Sequence, residues 1–348
     1  MKNKIIVTGG CGYICSMEIL KSIQESNTPK YRQIISSIES SIINGVLKKG
    51  DKLPSLNMIK DKHSLSRDTV LMAFNDLKNR GIIHSVVGKG YYVSTEDVLV
   101  KRKVFLLFDE LNSFKEDLYN SFLQNLTNNV QVDIFFHHFN IAVFKKLISD
   151  NIGNYSSYVI MPANLKDVKS TIENLPSDKV YLLDQINDEL KKYPAIFQNF
   201  EKDTFNGLSS GLNKLVNYKK IVLLFSKEKQ PQGILRGFEL FCKTNSLNYE
   251  IIDTLEKRTP KKGEVYIVLD DENLIRIIKK IKKVQFVLTK DIGIISFNDT
   301  ILKEVVENGI TTISTDFKLM GKRLAEMILT NEQLKIENPS KLILRNSL

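Results

Sequence analysis

The sequence predicts an α/β protein in two parts: a small α+β head of three helices and a hairpin, then a larger, two-lobed α/β domain. Three observations carry that expectation. At 348 residues the chain has material for two buried cores. Residues 29–93 read as helices broken by glycine and by serines placed to cap the next helix. From residue 104 short apolar β-rich runs alternate with helical patterns to the end, which implies parallel sheets covered on both faces.

In the head, Pro29 sets the first turn of a helix whose apolar positions Ile34, Ile35, Ile38, Ile42 and Ile43 recur at helical spacing. Asn44-Gly45 ends it, and "KKGDKLPS" makes a turn in which Ser55 caps a short second helix, Leu56 to about Lys62. Ser66 caps the third, Arg67 to Asn79, with Val70, Phe74 and Leu77 on one face and Arg67, Asp68 and Thr69 at its exposed start. Gly81 closes that helix. "IIHSV" and "YYVS" then form a two-stranded hairpin around the tight basic loop "VGKGY", a wing.

These residues resemble the GntR family of bacterial regulators. The resemblance runs through Tyr31, Gly45, Leu47, Gly50-Asp51, Leu53-Pro54-Ser55, Ser66-Arg67, Thr69-Val70, Leu77, Gly81, Gly88, Gly90 and Val93, over about 65 residues at matching spacing. It implies a winged helix-turn-helix over residues 17–95 that binds double-stranded DNA. The residues it implies at the DNA are Tyr31, Ser55, Asn57, Ser66, Arg67, Asp68, Thr69, Lys89 and Gly90. Arg67 is expected on a guanine edge or a phosphate, Ser66 and Thr69 on the backbone, and Lys89 in the minor groove or on a phosphate. The alternative for each is a solvated surface residue, the stronger reading for Lys89 taken singly. Many relatives carry arginine where this chain has Asn57, which can accept or donate but supplies no charged fork.

After a linker at 96–103, candidate strands are Val104–Phe108, Val132–Phe136, Tyr158–Met161, Val180–Leu183, Ile221–Phe225, Tyr249–Ile252, Val265–Leu269 and Ile292–Phe297. The stretches "IGIISFNDT", "ITTISTDFKLMGKRLAEMIL" and "LILRNSL" resemble the C-terminal part of LacI-type, periplasmic-binding-protein-like (type I) sensor domains. Asn298-Asp299-Thr300, Thr311-Thr312-Ile313, Met320-Gly321, Leu342, Arg345 and Ser347 carry that resemblance, closely over 264–348 and loosely over 103–263. It implies a ligand-binding and dimerisation domain over 104–348.

Ligands of open parallel sheets sit beyond the carboxyl ends of the strands. The cleft candidates are then Asp109 and Asn112, His137 and His138, Asp184, Asp270 and Asp271, and Asn298 and Asp299. Carboxylates and amides accept hydrogen bonds from vicinal hydroxyls, so the expected effector is a sugar or sugar derivative. Each of these residues has a plain alternative. Asp and Asn at strand ends cap helices or form turns, Asp299 especially, and a surface or packing role is favoured for the two histidines. Sugar-binding relatives commonly have arginine where this chain has Ile234, and Arg236 points elsewhere on the helix.

The opening "KIIVTGGCGYICSM" offers a competing reading. It resembles the start of the short-chain dehydrogenase and sugar-nucleotide epimerase family, with glycines at Gly9 and Gly12 but Cys15 at the third position. That alternative, an NAD-dependent enzyme, needs a second parallel strand and a tyrosine followed four residues on by lysine. The helix-glycine-turn pattern after Thr28 supplies no strand, and none of the 12 tyrosines has that lysine. Residues 1–16 are either a short appendage or sequence upstream of a natural start at Met17, the second being favoured.

Composition bounds the rest. No apolar run approaches the roughly 20 residues of a membrane span, and no signal peptide is apparent, so a cytoplasmic protein is expected. Cys11, Cys15 and Cys242 support neither a disulfide framework nor a metal site. The net charge of +10 suits an anionic partner but is spread along the chain. The expectation is a homodimeric regulator, with no enzyme activity, cofactor or metal, that binds a DNA operator and answers a small polar effector.

Overall fold

The computed structural model describes residues 29–98, 102–228 and 230–348. The head contains α1 (Lys30–Ile43), α2 (Leu56–His63), α3 (Arg67–Asn79) and the antiparallel hairpin β1 (Ile83–Val86) and β2 (Gly90–Val93). One apolar core holds it together. Ile34, Ile38, Val70, Phe74 and Leu77 are completely buried, and Tyr91 of the wing meets Phe74 edge-on at 4.9 Å. The turn before α2 is stitched to the wing, since Leu53 N donates to Tyr91 O and Val93 N to Asp51 O, at 2.8 and 2.9 Å. Both sequence-expected caps are made: Ser55 Oγ accepts from Met58 N and Ser66 Oγ from Thr69 N.

The larger part of the chain has two six-stranded sheets. In the first lobe β3 (Arg102–Phe108), β4 (Val130–Phe136), β5 (Ser157–Ile160), β6 (Val180–Asp184), β7 (Ala195–Phe197) and β13 (Lys335–Glu337) lie in the order 13-7-6-5-3-4, all parallel. In the second, β8 (Lys220–Leu224), β9 (Tyr249–Ile252), β10 (Glu264–Val268), β11 (Gly293–Phe297), β12 (Thr311–Thr315) and β14 (Ser340–Ile343) lie in the order 14-12-11-10-8-9, with β14 antiparallel. The central strands are buried along their whole length. That is why they read as continuous apolar runs.

All eight expected strands are present, within two residues at each end. Four further strands were not expected from the sequence: the short β7, β12, β13 and β14. β12 reads "TTIST" and is buried in full, a threonine- and serine-rich strand that satisfies its hydroxyls internally. Thr312 Oγ1, for example, donates to Asp299 Oδ1.

The chain passes between lobes three times, at residues 198–199, 316 and 338–339. After β12 of the second lobe, α12 (Phe317–Thr330) returns to the first, where Met320, Leu324, Met327 and Ile328 are buried against Leu118 and Phe122 of α4 (Ser113–Gln124). Gly321 permits that approach. A Cβ there would run into the Leu118 carbonyl and stand 2.8 Å from Phe122 N. The buried Asn338 joins all three crossings: its N–H donates to Phe197 O at 2.8 Å, and its Nδ2 to Thr315 Oγ1 at 2.7 Å and Asp316 O at 2.9 Å.

Candidate functional site

The head presents the start of α3 outward. Arg67 and Asp68 are exposed, and Ser66 Oγ lies 2.8 Å from Thr69 Oγ1, so these two hydroxyls steady each other at the helix N-terminus. Oriented N–H groups and a cation at that end favour a phosphate. Asn57 stands exposed on the first turn of α2. Lys89 is exposed at the wing tip, where Lys89 N closes the turn onto Val86 O and Gly88 and Gly90 take positive φ. Gly90 has a local reason to be glycine, with φ +112° and Lys52 Cε 3.4 Å from where a Cβ would stand. Tyr31 packs at the rim of the head core, its hydroxyl accepting from Arg32 Nε.

The far end of α3 is occupied. Ser156 of the first sensor lobe donates from Oγ to Asn79 O at 3.1 Å, while the same Oγ accepts from Lys103 N of β3. Lys103 in turn pairs with Asp133 of β4 at 2.8 Å. The N-terminal end of the helix is exposed, and its other end is tied to the first lobe.

In the first lobe, Asp109 follows β3 and is spent on Lys115, an ion pair in which both partners are buried. Glu110 N also donates to Asp109 Oδ1. Asn112 caps α4 through Lys115 N. Asp184 ends β6 at φ +74°, and its Oδ1 accepts from Gln198 Nε2 at 2.5 Å. Burial pushes its carboxyl above the ordinary value, against the pull of Lys115 and Gln198. His137 is fully buried, with Nε2 3.0 Å from Met161 O and Nδ1 unpaired. Burial lowers its pKa, which keeps the ring neutral. His138 is exposed, at φ +49°.

In the second lobe, Asp270 caps α10 (Asp271–Lys283) through Asn273 N at 2.8 Å. Asp271 pairs at 3.0 Å with Lys303, a buried lysine that also donates to Phe297 O and Asn298 O. Burial lowers the Lys303 pKa despite that carboxylate. Asn298 sits at φ +60°, and among the described residues its side-chain amide makes no hydrogen bond within the chain. Asp299 takes a bidentate bond from Arg345 at 2.6 and 2.7 Å. Burial works against its charge, but Arg345, Thr312 and Lys303 outweigh it and hold the carboxyl below the ordinary value. Thr300, not Asp299, caps the next helix, α11 (Ile301–Val305).

The fold thus assembles Asp109, Lys115, Asp184 and Gln198 on one wall, with Asp271, Lys303 and Asn298 on the carboxyl edge of the other sheet. The walls touch where Asn164 Nδ2 donates to Gln230 O at 3.0 Å. Lys115, Gln198 and Lys303 were missed in the sequence, where only their position one turn inside a helix or just past a strand marks them. Ile234 is buried in the lobe core, and Arg236 turns away to Glu201 at 2.6 Å. Among the described residues no three His, Cys, Asp or Glu side chains are grouped to hold a metal, and no helix is long and apolar enough to cross a membrane. The glycine pattern at Gly9, Gly12 and Cys15 lies outside the described residues.

A winged head is followed by two α/β lobes with the fold of LacI-type, periplasmic-binding-protein-like domains. Residues 30–93 match the family described as "Bacterial regulatory proteins, gntR family". The chain is 34% identical over 88 residues to the transcriptional repressor YtrA of Bacillus subtilis, covering 25% of this chain and 68% of that protein. It is 36% identical over 72 residues to the arabinose metabolism transcriptional repressor of Geobacillus stearothermophilus, covering 21% and 20% of the two. The chain belongs to the GntR family. Its fold matches a periplasmic binding protein/LacI transcriptional regulator from Alkaliphilus metalliredigens complexed with D-xylulofuranose. The TM-score is 0.59, over 71% of this chain and 98% of that one, at 12% identity.

Proposed function

We propose that the protein is a homodimeric, cytoplasmic, ligand-responsive regulator of carbohydrate genes, with a DNA-binding domain over 17–95, a linker over 96–103 and a ligand-binding and dimerisation domain over 104–348. The observation that carries this reading is the tie between Asn79 and Ser156: the helix offered to DNA is hydrogen-bonded at its other end to the sheet edge of the sensor. A change in lobe arrangement can then be felt by the head, and effector and operator must influence each other reciprocally.

Arg67, Ser66, Asp68, Thr69, Asn57, Ser55, Tyr31, Lys89 and Gly90 are assigned to the operator. Asp109, Asn112, His137, His138, Asp184, Asp270, Asp271, Asn298 and Asp299 are assigned to the effector cleft, and Asn298, whose side-chain amide makes no hydrogen bond among the described residues, leaves capacity for a hydroxyl. A sugar or sugar derivative is supported by that polar set, by the arabinose-metabolism relative and by the sugar bound in the structural neighbour. A second copy is supported by α11, where Ile301 is 82% and Val305 73% exposed, since two such apolar side chains one turn apart suit an isologous contact.

The test is fluorescence anisotropy of the full chain on duplex DNA from upstream of its own gene and on duplexes selected from a random library, across a salt series and beside Arg67→Ala. Binding with a steep salt slope, weakened in the variant, supports the assignment. Equal binding by both proteins refutes the placement of the recognition helix. A thermal-shift panel of sugars and sugar derivatives then tests the effector class, and a panel without a single shift refutes it.

A further inference from the structure

We propose that Met72 reads sequence by packing against the 5-methyl group of a thymine in the major groove. The inference rests on the reading of Arg67–Asn79 as the recognition helix. One face of that helix is consumed by the core through Val70, Ala73, Phe74 and Leu77, and its last residue is tied to the sensor through Ser156. Beyond Arg67 at its first position, the exposed side chains of the helix are Asp68, Met72 and Asn75, spaced i, i+4, i+7. Met72 stands in the middle of these, 54% exposed.

A lone exposed apolar side chain is ordinary on a protein surface. Its position is what decides its meaning. In the major groove every polar base edge asks for a donor or an acceptor, and a thioether chain supplies neither to useful effect. The one apolar feature there is the thymine methyl. Methionine is unbranched and polarizable, so it can follow that methyl without a strained rotamer. Asp68 and Asn75 lie about 6 and 4.5 Å away along the helix at 1.5 Å per residue, roughly one to two base pairs to either side. The contact therefore falls inside the run of bases that the helix spans.

Deoxyuridine tests this directly, because replacing dT by dU removes the methyl and nothing else. Duplexes enriched from a random library by the full-length protein would carry dU at one thymine at a time. The expected result is one position per half-site at which dU weakens binding about fourfold, the size of one lost buried methyl. In Met72→Ala that penalty disappears while the salt slope is kept, and in Met72→Leu it returns. The inference is overturned if no thymine is sensitive, or if the sensitive thymine is equally sensitive in Met72→Ala. If no duplex is enriched at all, the DNA-binding reading fails, and this inference fails with it.

Discussion

Replacing Asn338 by alanine removes the side chain that ties the crossing at 338–339 to the one at 316, and keeps the backbone bond to Phe197 O at the third. The amide Nδ2 donates to Asp316 O, which as a carbonyl can only accept, so the orientation of the amide is set by its partner. Its second bond goes to Thr315 Oγ1, which keeps its own donation to Pro339 O when Asn338 is truncated. Asn338 is 1% exposed, so water does not replace the lost donor without opening the hinge. Asp316 O still accepts from Met320 N, so the truncation loses two hydrogen bonds of about 0.5–1.5 kcal/mol each, a total of about 1–3 kcal/mol. For a domain of this size that lowers Tm by about 5 °C. Differential scanning calorimetry of the full chain measures it, read on the transition that a sensor-binding sugar raises. Asn338→Asp should be worse than alanine, since a carboxylate would face the Asp316 carbonyl. A fall in Tm below about 2 °C for Asn338→Ala, or an aspartate variant more stable than the alanine variant, would refute the claim that this residue holds the crossings together.

Gly321→Ala drives a methyl against the Leu118 carbonyl and within 2.8 Å of Phe122 N; forcing α4 and α12 apart should cost about 1–3 kcal/mol in urea unfolding, and an unchanged midpoint would contradict the packing described. Asp203 is half-buried with Oδ2 unpaired, and burial together with the charge of Glu337 pushes its pKa up to about 6. Its folded value lies above its unfolded one, so its contribution is full at low pH and is lost as pH rises through about 6. Asp203→Asn should therefore be more stable than the parent near pH 7, with the gap narrowing as pH falls below about 6 and closing near the unfolded value of about 4; a gap that does not depend on pH would exclude this carboxyl as the cause. Ile301→Lys places a charge on the exposed apolar side of α11. Sedimentation velocity should show a shift from dimer to monomer with weaker operator binding, and an unchanged sedimentation profile would rule out α11 as the contact.

The two halves of the chain differ in how much could be read from them. The head is organised by local rules: a capping serine, a glycine exit and an apolar residue every third or fourth position. Arg67–Asn79 falls where Ser66 and Gly81 place it. The parallel strands of the lobes were also legible, because a strand buried on both faces must be apolar throughout, as Val104–Phe108 is. β12, β13 and β14 were not. They are short or rich in hydroxyls, and what makes them strands is a partner far away in sequence, Thr312 beside Ile343 and Lys335 beside Ala195.

Residue type and spacing determined the class of the protein, the two caps of the head, the exposure of Arg67 and Asp68, and the set of polar side chains at the strand ends. Only the tertiary structure decided how those side chains are used. Asp299 is held by Arg345, 46 residues on. Asp109 is neutralised by Lys115 and Asp271 by Lys303, while Asn298 keeps its amide uncommitted. The physical reason is that a polar side chain leaving water must be paired, and whether its partner comes from the chain or is left to a ligand depends on which strands and helices the fold brings together.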